Sequence, residues 1–132
     1  MVGTYQLRDV YHSECLTEHG DTGALYLQAC ETGTGINHSQ LWKFTASGQL
    51  VNYHSGLCLI VTGDDPGVWL TGGTACTTAP VSVAEWKPVS QDEGPITNGH
   101  TGYFLDAGTS GSSVLIQSKT NVDGINWTME PA

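Results

Sequence analysis

The chain has 132 residues, with 4 Lys+Arg against 13 Asp+Glu and a formal charge of −9. That length suits one domain with a modest core. Four scattered cations cannot neutralise a nucleic-acid backbone or grip an anionic bilayer. No apolar run approaches the roughly 20 residues of a spanning helix, so neither nucleic acid nor membrane insertion is expected. Apolar residues make up 39% but are dispersed among 17 glycines, and no long window keeps them at helical spacing. Many short strands separated by turns are the expectation.

In chain order, β-rich runs bounded by turn chemistry predict strands at 4–9, 14–17, 24–29 and 41–45, with breakers at Glu18-His19-Gly20-Asp21 and Glu31-Thr32-Gly33. A second group falls at 49–53, 57–61, 68–71 and 84–88, interrupted by the strong turn Gly63-Asp64-Asp65-Pro66-Gly67. The third comprises 95–97, 103–107, 114–118 and 126–130. The grouping is itself periodic. Trp42, Trp86 and Trp127 lie 44 and 41 residues apart, and Cys15-Leu16, Cys58-Leu59 and Phe104-Leu105 recur in phase with them. A histidine shortly precedes each of these pairs (His12, His54, His100), and a hairpin position accounts for all three. Strands this short cannot bury a face alone, so three equivalent units, at about 1–47, 48–92 and 93–132, are expected to share one core about a pseudo-threefold axis. The three tryptophans would fill it.

Four cysteines allow three pairings. Repeat symmetry favours Cys15 with Cys30 and Cys58 with Cys76, each inside one unit, while Phe104 and Ser118 stand at the corresponding places of the third. Cysteine spacings of 15 and 18 with no close Cys or His companion do not match a usual metal-ligand set. No metal and no cofactor are expected.

Three units of this size, each with Cys-Leu or its equivalent near the start and a Gln-x-Trp element near the end, resemble the ricin B-type β-trefoil lectins, the (QxW)3 repeat family. Gln40-Leu41-Trp42 keeps the full motif, whereas Ala84-Glu85-Trp86 and Ile125-Asn126-Trp127 keep only the tryptophan. The resemblance spans the chain, is similar to small mushroom lectins, and implies an all-β trefoil of twelve short strands that binds glycans or glycoproteins.

In that family a sugar-binding unit carries an Asp just after the Cys-Leu position, a platform on the third strand and an amide shortly before the Trp. A carboxylate accepts from two sugar hydroxyls, and an amide both donates and accepts. Carried onto this chain, the resemblance implies a leading site in the third unit from Asp106, Gln117, Lys119 and Asn121, with Ile116 where an aromatic is expected. A secondary site in the first unit would use Thr17, Asp21, Gln28 and Gln40. The second unit has Ile60 at the Asp position and reads as structural unless Trp69 with Asp64 or Asp65 builds another pocket. Galactose or N-acetylgalactosamine is what the resemblance implies as ligand.

No nucleophile elbow, paired metal-binding histidines or phosphate-cradling loop is present, so catalysis is not expected. A competing reading is a trefoil protease inhibitor acting through the loops at 63–68 and 91–95. The N-terminal residues show no basic region followed by an apolar stretch. The expected location is the cytoplasm or non-classical release, or the extracellular space if a precursor was trimmed.

Overall fold

The computed structural model describes residues 3–18, 25–32, 38–61, 71–74, 76, 85–88, 93–107, 115–117 and 125–131. Twelve strands run β1 (Gly3–Asp9), β2 (Glu14–Glu18), β3 (Leu25–Ala29), β4 (Trp42–Phe44), β5 (Leu50–Asn52), β6 (Cys58–Ile60), β7 (Thr71–Thr74), β8 (Trp86–Pro88), β9 (Gly94–Asn98), β10 (Phe104–Asp106), β11 (Leu115–Gln117) and β12 (Asn126–Pro131). β1 pairs with β4 and β12, β4 with β5, and β9 with β8 and β12, all antiparallel. A bridge between Gln49 and Glu85 joins the β5 and β8 sides and closes a six-stranded barrel without a free edge. β2–β3, β6–β7 and β10–β11 are the three hairpins that leave this barrel.

Threefold symmetry is written into the core. Leu7, Leu50 and Ile96 sit two residues before the ends of β1, β5 and β9, and all three are buried. Trp42, Trp86 and Trp127 are buried beside them, and each indole N–H donates to a backbone carbonyl at 3.0 Å: those of Leu16, Leu59 and Leu105 respectively. A tryptophan brings a large apolar area but also a donor that must be satisfied. Here the donor ties each barrel tryptophan to its own hairpin, so packing and hairpin placement come from one side chain.

A second triad shapes the turns that enter the hairpins. Asp9 accepts from the amides of Tyr11 and His12, Asn52 from those of His54 and Ser55, and Asn98 from those of His100 and Thr101. These are Asx turns, in which a short polar side chain caps backbone N–H groups that would otherwise be orphaned. The match corrects the histidine reading: His54 and His100 are equivalent, but His12 stands one place later, where the other repeats have Ser55 and Thr101. Those hydroxyls accept from the amides of Leu57 and Tyr103. His12 instead turns its Nδ1 to the Asp9 carboxylate, a partner the two asparagine turns do not offer.

Each turn ends in a left-handed residue: Gly56 at φ 72°, Gly102 at φ 74° and Ser13 at φ 59°. A Cβ at either glycine would meet nothing within 4 Å, so the demand for glycine there is purely conformational. Ser13 carries that strain. Ser13→Gly is expected to raise stability by roughly 1 kcal/mol, measured by denaturant unfolding, while Gly102→Ala should lower it by a similar amount; no gain in the serine variant would contradict the turn assignment.

Cys15–Cys30 and Cys58–Cys76 are bridged, as repeat symmetry favoured. Both bridges reach two residues past a register partner: Cys15 pairs with Gln28 and Cys58 with Thr74. That count moves two sequence assignments. β7 is described over Thr71–Thr74, running past the expected end at 71, because the non-local bridge sets the register; residues 68–70 of the expected span lie outside the described residues. In the third repeat Phe104 pairs with Gln117, so the equivalent of the second cysteine is position 119 rather than Ser118; it lies outside the described residues.

Candidate functional site

The β10–β11 hairpin carries the leading candidates. Leu105 points into the core and its carbonyl is held by Trp127, which fixes the backbone immediately before Asp106. Alternation along the strand turns Asp106 to the face opposite Leu105. Across the hairpin Phe104 pairs with Gln117 and Asp106 with Leu115. Asp106 and Gln117 are therefore diagonal neighbours on one face, a relation that spans roughly 7–8 Å between backbones and is within reach of long side chains. Asp106 is 5% exposed, so it is nearly covered by its surroundings. Lys119 and Asn121 lie outside the described residues.

The register also corrects the platform position of this repeat. Gln28 faces Cys15 in the first hairpin, and Gln117 faces Phe104 in the third, so Gln117 and not Ile116 is the counterpart of Gln28. Counting from the pairing partner, rather than along the strand, would have found it.

The first repeat is assembled differently. Thr17 is buried and its hydroxyl donates to its own strand, at Cys15 O, 3.0 Å away. Tyr26, which sequence reasoning did not single out, pairs across from Thr17, and Gln28 is exposed beside it. Gln40 is fully buried. Its amide donates to Ala29 O at 3.0 Å, and its carbonyl accepts from Glu31 N at 3.0 Å and from Gln6 Nε2 at 3.2 Å. The Gln of the Gln-x-Trp element thus locks the segment after β3 onto β1, and the structure does not bring it to Gln28. Asp21 lies outside the described residues, as do Asp64, Asp65, Trp69, the loop at 63–68 and residues 91–92 of the other loop. In the second repeat Ile60 stands where the third has Asp106, and no carboxylate replaces it on β6.

Sequence reasoning also missed Glu18. It pairs with Leu25 on the face of β2 that carries Leu16, and its counterparts in the other repeats are Val61 and Ala107. The only signal was an acid at the third place after each cysteine or its equivalent, where the other units are apolar. Burial pushes its carboxyl above the usual carboxylate range, against the opposing pull of a hydrogen bond with Ser55 and the charge of His54. Its Oε2 has no hydrogen-bond partner. A carboxyl whose pKa rises on folding binds its proton more tightly in the native state, so its contribution is full below the unfolded value of 4.5 and fades as pH rises through the folded value. Glu18→Gln should therefore raise the melting temperature at pH 7, with the difference shrinking below pH 4.5. A gain of equal size at both pH values would remove titration as its cause.

Among the described residues no group of three or more His, Cys, Asp or Glu is placed to hold a metal ion. By register Asp106 and Gln117 share one face of the hairpin, and as residue types a carboxylate accepts from hydroxyl groups while an amide both donates and accepts.

Comparison with curated proteins gives no match. Among solved structures, the agglutinin of Abrus precatorius superposes with a TM-score of 0.83 at 19% identity, over 98% of this chain and 49% of its own. The chain thus spans about half of that protein's length. The designed threefold-symmetric protein ThreeFoil gives a TM-score of 0.80 at 18% identity, covering 98% and 99% of the two chains. The C-terminal half of an earthworm R-type lectin, solved in complex with GalNAc, gives 0.75 at 11% identity over 98% and 99%. At these identities the likeness is one of fold. The family model of the ricin-type β-trefoil lectin domain matches residues 3–127, and with its three tryptophan-anchored hairpins the chain belongs to that carbohydrate-binding family.

Proposed function

We propose that this chain binds galactose- or N-acetylgalactosamine-type glycans without altering them, through the outer face of the third hairpin. Asp106 accepts from two ring hydroxyls, Gln117 contacts the sugar from the facing strand, and Lys119 and Asn121 belong to the same site by sequence position. The observation that carries this reading is the shared face of Asp106 and Gln117 on a hairpin anchored by Trp127. The other two repeats place Ile60 and a self-bonded Thr17 at the same point. The GalNAc complex of the earthworm lectin is consistent with that ligand class on this fold. In the first repeat, the exposed Gln28 beside Tyr26 supports at most a secondary contact.

Shallow sites of this kind bind weakly, and avidity supplies the rest. Amide spectra recorded during titration with galactose, N-acetylgalactosamine and glucose test the proposal. Saturable shifts at 104–106 and 115–117 with the first two sugars are expected; shifts confined to the β2–β3 hairpin, or a preference for glucose, would overturn it.

A further inference from the structure

In the first repeat Trp42 pairs across β1 with Tyr5, whose buried ring packs edge-on against Phe44 with centroids 6.1 Å apart. In the second repeat the same relation holds between Trp86 and Gly48, with the Trp86 amide donating to Gly48 O at 2.9 Å. Glycine supplies no ring there. Between the 45–48 turn and β8 lies a cavity of about 320 Å³. Gly48 sits at φ 87°, a conformation that L side chains rarely adopt, so substitution does not readily close the space.

The cavity wall combines two chemistries. Pro88 and Ala46 provide apolar surface over the buried Phe44 and Trp86, while Thr45, Ser47, Glu85 and Lys87 provide polar groups. Glu85 is held rather than floppy. A Cβ on Gly99 would come within 2.2 Å of its Oε1, and one on Gly48 within 3.1 Å of its Cγ, so the two glycines form a slot for this side chain. Lys87 Nζ lies 3.5 Å from the same Oε1. Thr45 Oγ1 and Ser47 Oγ are 3.0 Å apart at the rim, with the threonine also accepting from the Gln49 amide.

We propose that this cavity is a second saccharide site, built for one neutral pyranose ring. Its volume is at the small end of ligand pockets, roughly 300–1,000 Å³, which suits a single ring. A pyranose can donate hydroxyls to Glu85, accept from Lys87, and rest its C–H face on Pro88 and Ala46. A formal charge of −9 and a carboxylate in the wall disfavour an anionic ligand. A cationic one would have to displace Lys87 from Glu85. No residue is shared with the Asp106 face, so the inference stands independently of the function proposed above.

Titration of the full chain with methyl galactoside, methyl glucoside and methyl mannoside, followed by amide spectra, tests it; glucuronate serves as the anionic control. Saturable shifts at Ser47 and Gly48 are expected with at least one neutral glycoside and not with glucuronate, and they should persist in Asp106→Asn. Ala46→Trp, which adds bulk to an exposed lining residue, should abolish them. Glu85→Gln, which keeps the shape of the slot, should weaken binding about tenfold by removing the charged acceptor. The Trp86 indole N–H resonance reports whether either variant remains folded. Absence of saturable shifts at 45–48 with all three glycosides, or unchanged affinity in Glu85→Gln, would overturn the assignment.

Discussion

Trp127→Ala is expected to cost about 3–5 kcal/mol of stability, the range for deleting a fully buried large aromatic. Two losses combine. The indole leaves a cavity among Leu105, Ile96 and Met129, which belong to the same buried cluster, and the Leu105 carbonyl loses the donor that sits 3.0 Å away. Trp127→Phe separates them: it keeps much of the apolar volume but leaves Leu105 O unsatisfied, a cost of about 1–3 kcal/mol. Chemical denaturation of both variants measures the two effects. If the phenylalanine variant matched the parent, the hydrogen bond would have no part in holding the hairpin to the barrel.

Removing the Cys58–Cys76 bridge by paired serine substitution should cost about 3 kcal/mol, the chain-entropy value for a closed loop near its separation of 18 residues. The effect should also be local, because β7 reads Thr-Gly-Gly-Thr. Two glycines bring backbone freedom and no side chain to pack, so β7 has little intrinsic preference for pairing. The pairing of β6 with β7 already shows a register irregularity between Cys58 and Ile60. By contrast β2 and β3 share five register pairs and place Leu16, Leu25 and Leu27 in the core. Amide exchange should therefore reveal early opening of β6–β7 in the Cys58/Cys76 variant, whereas removal of Cys15–Cys30 should leave β2–β3 protected until global unfolding. Equal protection of the two hairpins would contradict this division.

The tryptophan period, the in-phase Cys-Leu pairs and the turn clusters were enough to anticipate an all-β trefoil of twelve strands, because each is a local pattern repeated three times. The errors share a physical origin. The end of β7 was placed too early, at 71 rather than Thr74, because its register is tied to a bridge between residues 18 positions apart and not to its own composition. His12 looked equivalent to His54 and His100 because spacing alone does not reveal an Asx turn; only the amides that Asp9, Asn52 and Asn98 cap show the offset. Gln40 read as a binding amide because its type suits sugar recognition, yet its three hydrogen bonds are internal. Glu18 was read as part of the turn that follows β2, and only alignment of the repeats on their cysteines shows it in a buried position held elsewhere by Val61 and Ala107. At the leading candidate, the position of Asp106 after Phe104-Leu105 is a local pattern legible in the sequence, while the match of Gln117 to Gln28 needed cross-strand pairing.

The most direct test of the account is a calorimetric titration of Asp106→Asn with N-acetylgalactosamine or galactose beside the parent chain. The substitution keeps size and removes the charged double acceptor, so a loss of roughly 10–150-fold in affinity at the hairpin site is predicted, equivalent to about 1.5–3 kcal/mol for a hydrogen bond to a charged group. The fold, monitored by the Trp127 indole resonance, should be retained. Undiminished affinity in a folded Asp106→Asn protein would contradict the assignment of saccharide recognition to the third repeat.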